Sequence, residues 1–161
     1  SEVTGLELRE GTDRVQLMQS MGDIATFSGA FRAYVLDLNK IANDLRLLAS
    51  GPRTGLAEIV LPAVQPGSSI MPGKVNPSIA EMVNQVCYQA LGLDTTVALA
   101  AEAGQLELNV MMPVITHNMV FGLMIVGNAT RILAERCVRG IEADEKLCAH
   151  WLERSPALVT S

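Results

Sequence analysis

Apolar positions recur at steps of three and four along most of the chain, and this spacing predicts long helices. The first predicted helix runs from Thr12 to Ala49, with a stripe close to the heptad period. Thr12 is its predicted N-cap, and Asp13 suits the first turn. Gly51 and Pro52 are predicted to end it, as a C-terminal glycine followed by a helix breaker. The stripe consists of Ile24, Phe27, Phe31, Val35, Leu38, Ala42, Leu45 and Ala49.

A second long helix is predicted from Pro77 to Ala103. Asn76 before Pro77 matches an N-cap followed by proline at the first helical position. Further apolar residues flank the main stripe, so we expect this helix to be buried on several sides. The stripe consists of Ile79, Met82, Val86, Ala90, Leu93, Val97 and Ala100.

A third helix is predicted after a break at Gly104. It should run from Leu106 to Cys137, with Pro113 in its first turns or at a kink. Gly140 is predicted to end it. A last, short helix is predicted over Asp144–Arg154.

The segment from Gly51 to Pro77 is too rich in glycine and proline for regular helix. A short strand at Ile59–Leu61 fits inside it. The predicted fold is therefore all-α, a segment of a long-helix bundle. Each helix has more apolar surface than three helices can bury, so we expect other helices to come from elsewhere.

The composition strengthens that expectation. Hydrophobic residues make up 49% of the 161 residues and charged residues 18%, with a mean hydropathy of +0.29. This is high for a soluble monomer and indicates either a membrane or burial against other chains. The best spanning candidate, residues 110–126, contains Pro113, His117 and Asn118, so burial in an oligomer is favoured over a membrane.

The charge and the cysteines restrict the partners and the compartment. A net charge of −5 with no basic stripe argues against nucleic acid. Cys87, Cys137 and Cys148 show no CxxC spacing and cannot all pair, which fits a reducing cytoplasm. No metal-binding spacing is found, and we expect no metal and no cofactor. Because the chain begins at Ser1 without Met, we expect it to be a segment of a longer protein.

The most informative stretch for chemistry is residues 67–77, with the sequence GSSIMPGKVNP. Ser68 and Ser69 are followed by Lys74 and Asn76, directly before a predicted helix N-terminus. Such a terminus has unpaired N–H groups and partial positive charge, so the site suits a carboxylate. The serines could donate hydrogen bonds or, if activated, act as nucleophile or base. The alternative is a turn with ordinary serines and a solvated lysine.

Residues 67–77 resemble the signature loop of the aspartase/fumarase superfamily. Two further runs extend the resemblance to nearly the whole chain. NDLRLL at residues 43–48, with GPR at 51–53, is similar to the end of the family's preceding helix. AEAGQLELNV at residues 101–110 resembles the next break as it stands in the aspartate ammonia-lyases of the family.

The resemblance implies a central helix-bundle domain over residues 1–140, carrying the serine loop 67–77, and the start of a small C-terminal helical domain over residues 141–161. It also implies a homotetramer of packed bundles. Each family site combines loops from three subunits, and the family's active-site histidine comes from a segment that this chain lacks. We therefore expect this chain to be inactive alone.

The reaction implied is reversible anti elimination of ammonia from L-aspartate to give fumarate, through an aci-carboxylate intermediate. Such a reaction needs a base, and also donors for the negative charge that develops. Ser68 matches the family's general base. Ser69 would contact a substrate carboxylate, and the sequence does not decide which serine points inward.

The remaining predicted site residues follow from the same resemblance. Lys74 and Asn76 match carboxylate-binding positions, and Ile70 and Met71 belong to the substrate-binding run. Glu81 matches a family acid that orients the histidine.

Two alternatives stay open. A class II fumarase has the same loop and a different leaving group, and a non-catalytic oligomerisation module explains the helix stripes equally well. The intact Ser68, Lys74 and Asn76 argue against the second. His117, among apolar residues, is predicted to be a core histidine, and His150 a surface one.

Overall fold

The computed structural model describes residues 5–7, 9–67, 71 and 75–155. It confirms the all-α fold, with three long helices and one small two-stranded ribbon in the described part. The elements are α1 (Arg14–Gln19), α2 (Gly22–Leu48), β1 (Ile59–Val60), α3 (Ser78–Glu102), α4 (Met112–Arg136), a 3-10 turn (Val138–Gly140), β2 (Glu142–Ala143) and α5 (Glu145–Arg154).

α3 lies between α2 and α4 and packs extensively against both, whereas α2 and α4 share few contacts, among them a 2.9 Å hydrogen bond between the hydroxyls of Tyr34 and Thr130. The main core cluster therefore has α3 at its centre. Small residues from all three helices, such as Ala42, Ala90 and Ala129, are almost fully buried and let the helices approach closely. The cluster consists of Val35, Leu38, Ala42, Ala80, Val83, Cys87, Ala90, Val126, Ala129, Leu133 and Cys137.

Ala90, Val97 and Ala100 of the predicted stripe are buried, but in the first turns of α3 the buried face is rotated by about one residue from the prediction. Ala80 and Val83 are fully buried, but Ile79 and Met82 are only partly buried. The rotation follows from contact with two helices, which makes the buried face broader than a single stripe. The prediction of burial on several sides is confirmed.

The first predicted helix is in fact two helices, and its predicted N-cap was wrong. The cap is Asp13 rather than Thr12, because the Asp13 Oδ1 accepts a hydrogen bond from the Gln16 N–H at 3.0 Å. Ser20 has extended backbone and ends α1. Its hydroxyl accepts from the Gly22 N–H at 3.3 Å, and this local bond competes with a continuous helix.

The start of α3 also differs from the prediction. The helix begins at Ser78, and Pro77 occupies the N-cap position that Asn76 was predicted to fill. No side chain of the described residues caps this end, and the Ser78 N–H donates to the Asn76 carbonyl at 2.8 Å. Glu81 supplies an acidic side chain in the first turn, which suits the helix dipole.

α4 begins later than the predicted start at Leu106, because a tight turn follows the break at Gly104. Leu106 has φ 51°, outside the helical region. The fully buried Asn109 holds the connection: its Nδ2 donates to the Ala100 carbonyl at 3.0 Å and its Oδ1 accepts from the Met111 N–H at 2.8 Å. Pro113 lies in the first turn of α4, as predicted.

The predicted short strand is confirmed as β1, and its partner β2 was not predicted. The strands pair antiparallel, with Ile59 opposite Ala143 and Val60 opposite Glu142. α5 follows directly and is capped by Asp144, whose Oδ1 accepts from the Leu147 N–H at 2.9 Å. The ribbon thus ties the segment before the serine loop to the last helix.

One described stretch, Met112–Gly140, is long and apolar enough to cross a membrane by length and composition, with a mean hydropathy of 1.2. A core helix of a bundle meets the same criterion. This stretch contributes buried residues from Ile115 to Leu133, spread along its length, to the cores shared with α3.

The three cysteines are unpaired. Cys87 and Cys137 lie in the main core, and burial raises the pKa of both thiols above the ordinary value. Cys148 is half-buried on α5. The raised pKa lowers the thiolate fraction at neutral pH, and the thiolate is the nucleophile.

We predict that a thiol reagent at neutral pH labels Cys87 and Cys137 at least about tenfold more slowly than Cys148, because both thiols are buried and protonated. Peptide mapping by mass spectrometry of the full-length protein measures each rate. In denaturant the three rates should converge. Labelling of Cys87 as fast as Cys148 in the folded protein would contradict this packing.

Candidate functional site

The structure describes only part of the predicted site. Met71 is half-exposed, while Asn76 and Glu81 are half-buried near the start of α3. The predicted site residues that lie outside the described part are Ser68, Ser69, Ile70 and Lys74. Their placement therefore stays a prediction, and the described residues show what surrounds them.

A tight turn between α2 and β1 sets the course of the chain towards the serine loop. The Ser50 Oγ accepts from the Leu56 N–H at 3.1 Å, and the Ser50 carbonyl accepts from the Ala57 N–H at 2.7 Å. A Cβ on Gly55 would lie 2.3 Å from the Ser50 carbonyl carbon, so this position requires glycine.

Two further contacts hold the loop region, one to the turn after α4 and one to the start of α3. Pro62 packs so closely on Gly140 that a Cβ there would lie 2.7 Å from the Pro62 Cγ. The Gln65 Nε2 donates to the Ser78 Oγ at 2.6 Å. Gln65 precedes the signature run and Ser78 follows it. The two flanks of the run therefore meet at the N-terminus of α3.

That N-terminus has the electrostatic character of an anion site. α3 extends over 25 residues and no described side chain caps it, so its first turn presents the partial positive charge of a helix N-terminus. Asn76 lines a narrow crevice here together with Ser78 and Arg136. The Glu81 carboxylate has no hydrogen bond or ion pair to any described residue, which leaves it available to a partner from another segment.

Two buried polar side chains on α3 were not predicted from the sequence to have a structural role. Asn84, 2% exposed, donates from Nδ2 to the Asn39 Oδ1 at 2.7 Å and accepts at Oδ1 from the Arg46 Nη1 at 3.0 Å. Asp94, 5% exposed, accepts hydrogen bonds from the hydroxyl of Ser28 and from the guanidinium of Arg32, one turn after Ser28 on α2. Both link α3 to α2.

A signal for these links existed in the sequence. Asn84 and Asp94 interrupt an otherwise apolar helix, and Ser28 and Arg32 stand at i and i+4 on α2, where they can reach one carboxylate. The Asp94 carboxylate lies 2.6 Å from the Ser28 Oγ and 2.9 Å from the Arg32 Nη1.

Of the two histidine predictions, that for His117 is wrong and that for His150 is confirmed. His117 was expected in the core, but it is exposed on the side of α4 turned away from α3, stacked on Phe121 with ring centroids 6.0 Å apart. His150 is on the surface, as predicted, against Trp151. Among the described residues, no cluster of His, Cys, Asp or Glu has the geometry of a metal site.

The chain belongs to the aspartase/fumarase superfamily: a family model described as "Lyase" matches residues 1–92.

Relatives and solved structures agree with this assignment. The chain is 47% identical over 161 residues to the aspartate ammonia-lyase of Bacillus subtilis (strain 168). The alignment covers 100% of this chain and 34% of the relative. The fumarate lyase:delta crystallin structure from Brucella melitensis matches with 54% identity and a TM-score of 0.94, over 99% of this chain and 35% of that one. The class II fumarase structure from Schistosoma mansoni matches with 38% identity and a TM-score of 0.91, over 95% of this chain and 32% of that one. The chain thus spans about a third of the length of these proteins.

We predict that Gly55→Ala lowers the stability of the full-length protein by about 2 kcal/mol or more, because its Cβ collides with backbone that cannot yield. Thermal unfolding measures the effect. Gly92→Ala is the matched control, since a Cβ at that exposed position on α3 meets nothing within 4 Å. It should keep or raise the unfolding temperature. Equal effects of both variants would contradict the description of the turn.

Proposed function

We propose that this chain supplies the catalytic loop of a lyase that reversibly eliminates ammonia from L-aspartate to give fumarate. The observation that carries the proposal is the bond from Gln65 to Ser78, which brings the two flanks of residues 67–77 together at the N-terminus of α3. The 47% identity to an aspartate ammonia-lyase supports the choice of substrate.

The elimination starts by removing a proton from the carbon beside a carboxylate, and this hydrogen is very weakly acidic. When the C–H bond breaks, its electron pair moves into the carboxylate and forms an aci-carboxylate dianion. The pair then returns to form the C=C bond as the C–N bond breaks, and ammonia leaves. The site must therefore stabilise the extra charge of the intermediate more than that of the substrate.

We assign the base to Ser68. A serine hydroxyl becomes a useful base only as an oxyanion, which needs nearby donors and positive charge. The free N–H groups of α3 and the Lys74 ammonium supply both kinds of stabilisation. Ser69 is the neighbouring alternative, assigned here to a substrate carboxylate.

We assign recognition of the dicarboxylate to the rest of the loop. Lys74 contributes a point charge and Asn76 two amide donors. Ile70 and Met71 complete the run against the substrate. The side chain of Asn76 does not cap α3, so its amide is left for a ligand.

Glu81 is proposed to orient the histidine that another segment brings to the site. Its carboxylate has no hydrogen-bond partner among the described residues, and a carboxylate–imidazole bond fixes the tautomer of the ring. This role makes Glu81 a positioning residue.

The complete site is proposed to need segments outside this chain, so the isolated chain should be inactive. Exposed apolar side chains such as Phe27, Leu99 and Val120 fit burial in a homotetramer. We further propose that residues 1–140 belong to a central bundle domain, that 141–161 begin a small C-terminal helical domain, and that the enzyme is cytoplasmic.

A class II fumarase is the second candidate, supported by the 38% identity to the Schistosoma mansoni enzyme. The two reactions share the proton abstraction and differ in the leaving group.

Absorbance of fumarate in the presence of the full-length protein separates the two candidates. We expect loss of fumarate only when ammonia is added, with aspartate as the product. Loss without ammonia, yielding malate, would establish the fumarase instead. No loss in either mixture would favour the non-catalytic oligomerisation module.

We predict that Ser68→Ala lowers kcat by about a hundredfold or more while the assembly survives, because the proton acceptor is lost. Size-exclusion chromatography checks the assembly. Ser69→Ala should mainly raise KM, and Ser20→Ala, at the α1–α2 break, is a control expected to keep normal turnover. Collapse of kcat in Ser69→Ala but not in Ser68→Ala would exchange the two assignments.

A further inference from the structure

We propose that Asn84 is a positioning residue for the reaction, because its hydrogen bonds to α2 fix the register of the α3 turn that carries Glu81. This inference rests on the role proposed for Glu81 and extends it to a residue remote from the substrate. It uses only side chains that the structure describes.

The apolar contacts around Glu81 do not fix a register by themselves. The buried apolar residues in the first turns of α3 are small, namely Ala80, Val83 and Cys87. Hydrophobic burial is non-directional, so small shifts of α3 along α2 would bury similar apolar areas. Hydrogen bonds depend steeply on distance and angle and distinguish these registers.

Asn84 is the polar residue buried at this level of α3, and both ends of its amide are engaged. Nδ2 donates to the Asn39 Oδ1 at 2.7 Å and to the Asn39 carbonyl at 3.2 Å. Oδ1 accepts from the Arg46 Nη1 at 3.0 Å. A flip of the amide would break both sets of bonds, so the side chain has one orientation.

The link to Glu81 runs through the rigid helix. Glu81 precedes Asn84 by nearly one turn, about 4.5 Å along the axis, and residues at this spacing are neighbours on the helix surface. The Glu81 carboxylate has no side-chain bond to a described residue, so the backbone of α3 determines its position. A displacement of about 1 Å in a catalytic group can cost up to about a hundredfold in rate.

Asp94 offers a matched control on the same pair of helices. It too is buried and bonded to α2, through Ser28 and Arg32. It lies about 15 Å farther along α3 from Glu81 than Asn84 does. A change at Asp94 should therefore affect the stability of the packing without moving the Glu81 turn.

The test compares Asn84→Leu, Asp94→Leu and Glu81→Gln in the full-length protein, with kcat, KM, the pH profile of kcat, the unfolding temperature and the assembly state as readouts. We expect Asn84→Leu to lower kcat about tenfold with KM within about threefold, because the catalytic geometry changes more than substrate binding. Its pH profile should shift in the same direction as that of Glu81→Gln. Asp94→Leu should lose stability but keep the wild-type kcat and profile.

Arg46→Met provides a second variant if Asn84→Leu does not fold, since Arg46 is exposed and its replacement leaves the core intact. It removes one of the bonds to Asn84, and we expect a loss in kcat of about threefold with the same shift in the pH profile. In the double variant the two effects should not add, because both act through one network.

Normal kcat in a folded Asn84→Leu, or equal losses in Asn84→Leu and Asp94→Leu, would overturn the inference. If only Arg46→Met folds, an unchanged kcat would do the same. If the wild-type protein is active and Glu81→Gln keeps full activity, Glu81 has no role in the reaction and the inference fails. A wild-type protein without lyase activity would instead refute the proposed function, and this is seen before any variant is made.

Discussion

The packing of α3 on two sides is the constraint on which the rest of the structure depends. α2 and α4 share few contacts, so each is held mainly by its own face of α3. Val83, Cys87 and Val97 are fully buried along this helix, and small side chains let its neighbours approach. This packing holds α3 between its neighbours, and the buried bonds of Asn84 and Asp94 tie it to α2.

The proposed chemistry depends on that N-terminus. No described side chain caps this end of the helix, and the bond from Gln65 to Ser78 brings the flanks of the signature run together there. The β1–β2 ribbon and the close contact of Pro62 with Gly140 hold the preceding segment. A fixed helix end with free N–H groups stabilises developing negative charge without reorganising during the reaction.

The sequence predicts those features that depend on neighbours along the chain. The long helices, the strand at Ile59 and the short last helix follow from periodicity and local turn chemistry. The break at Ser20 and the uncapped start of α3 depend on competition between local hydrogen bonds, which periodicity does not show. The bonds of Asn84 and Asp94 join residues 45 and 66 positions apart, so only the packed helices bring them together.

The site itself was predicted by resemblance more than by pattern. Charge and turn residues alone indicated a carboxylate site at a helix start, and the family loop added the roles of Ser68, Lys74 and Asn76. The described structure contributes the frame around these residues. His117, exposed rather than in the core, shows that a single chain does not reveal which apolar faces other helices cover.

The most direct test of the account is a crystal structure of the full-length protein with bound succinate, a dicarboxylate without a leaving group. We predict that one carboxylate accepts hydrogen bonds from Asn76 and Lys74 at the N-terminus of α3. A methylene carbon should lie about 3 to 3.5 Å from the Ser68 Oγ. Succinate bound away from this helix end, without contact to Ser68 or Asn76, would contradict the account.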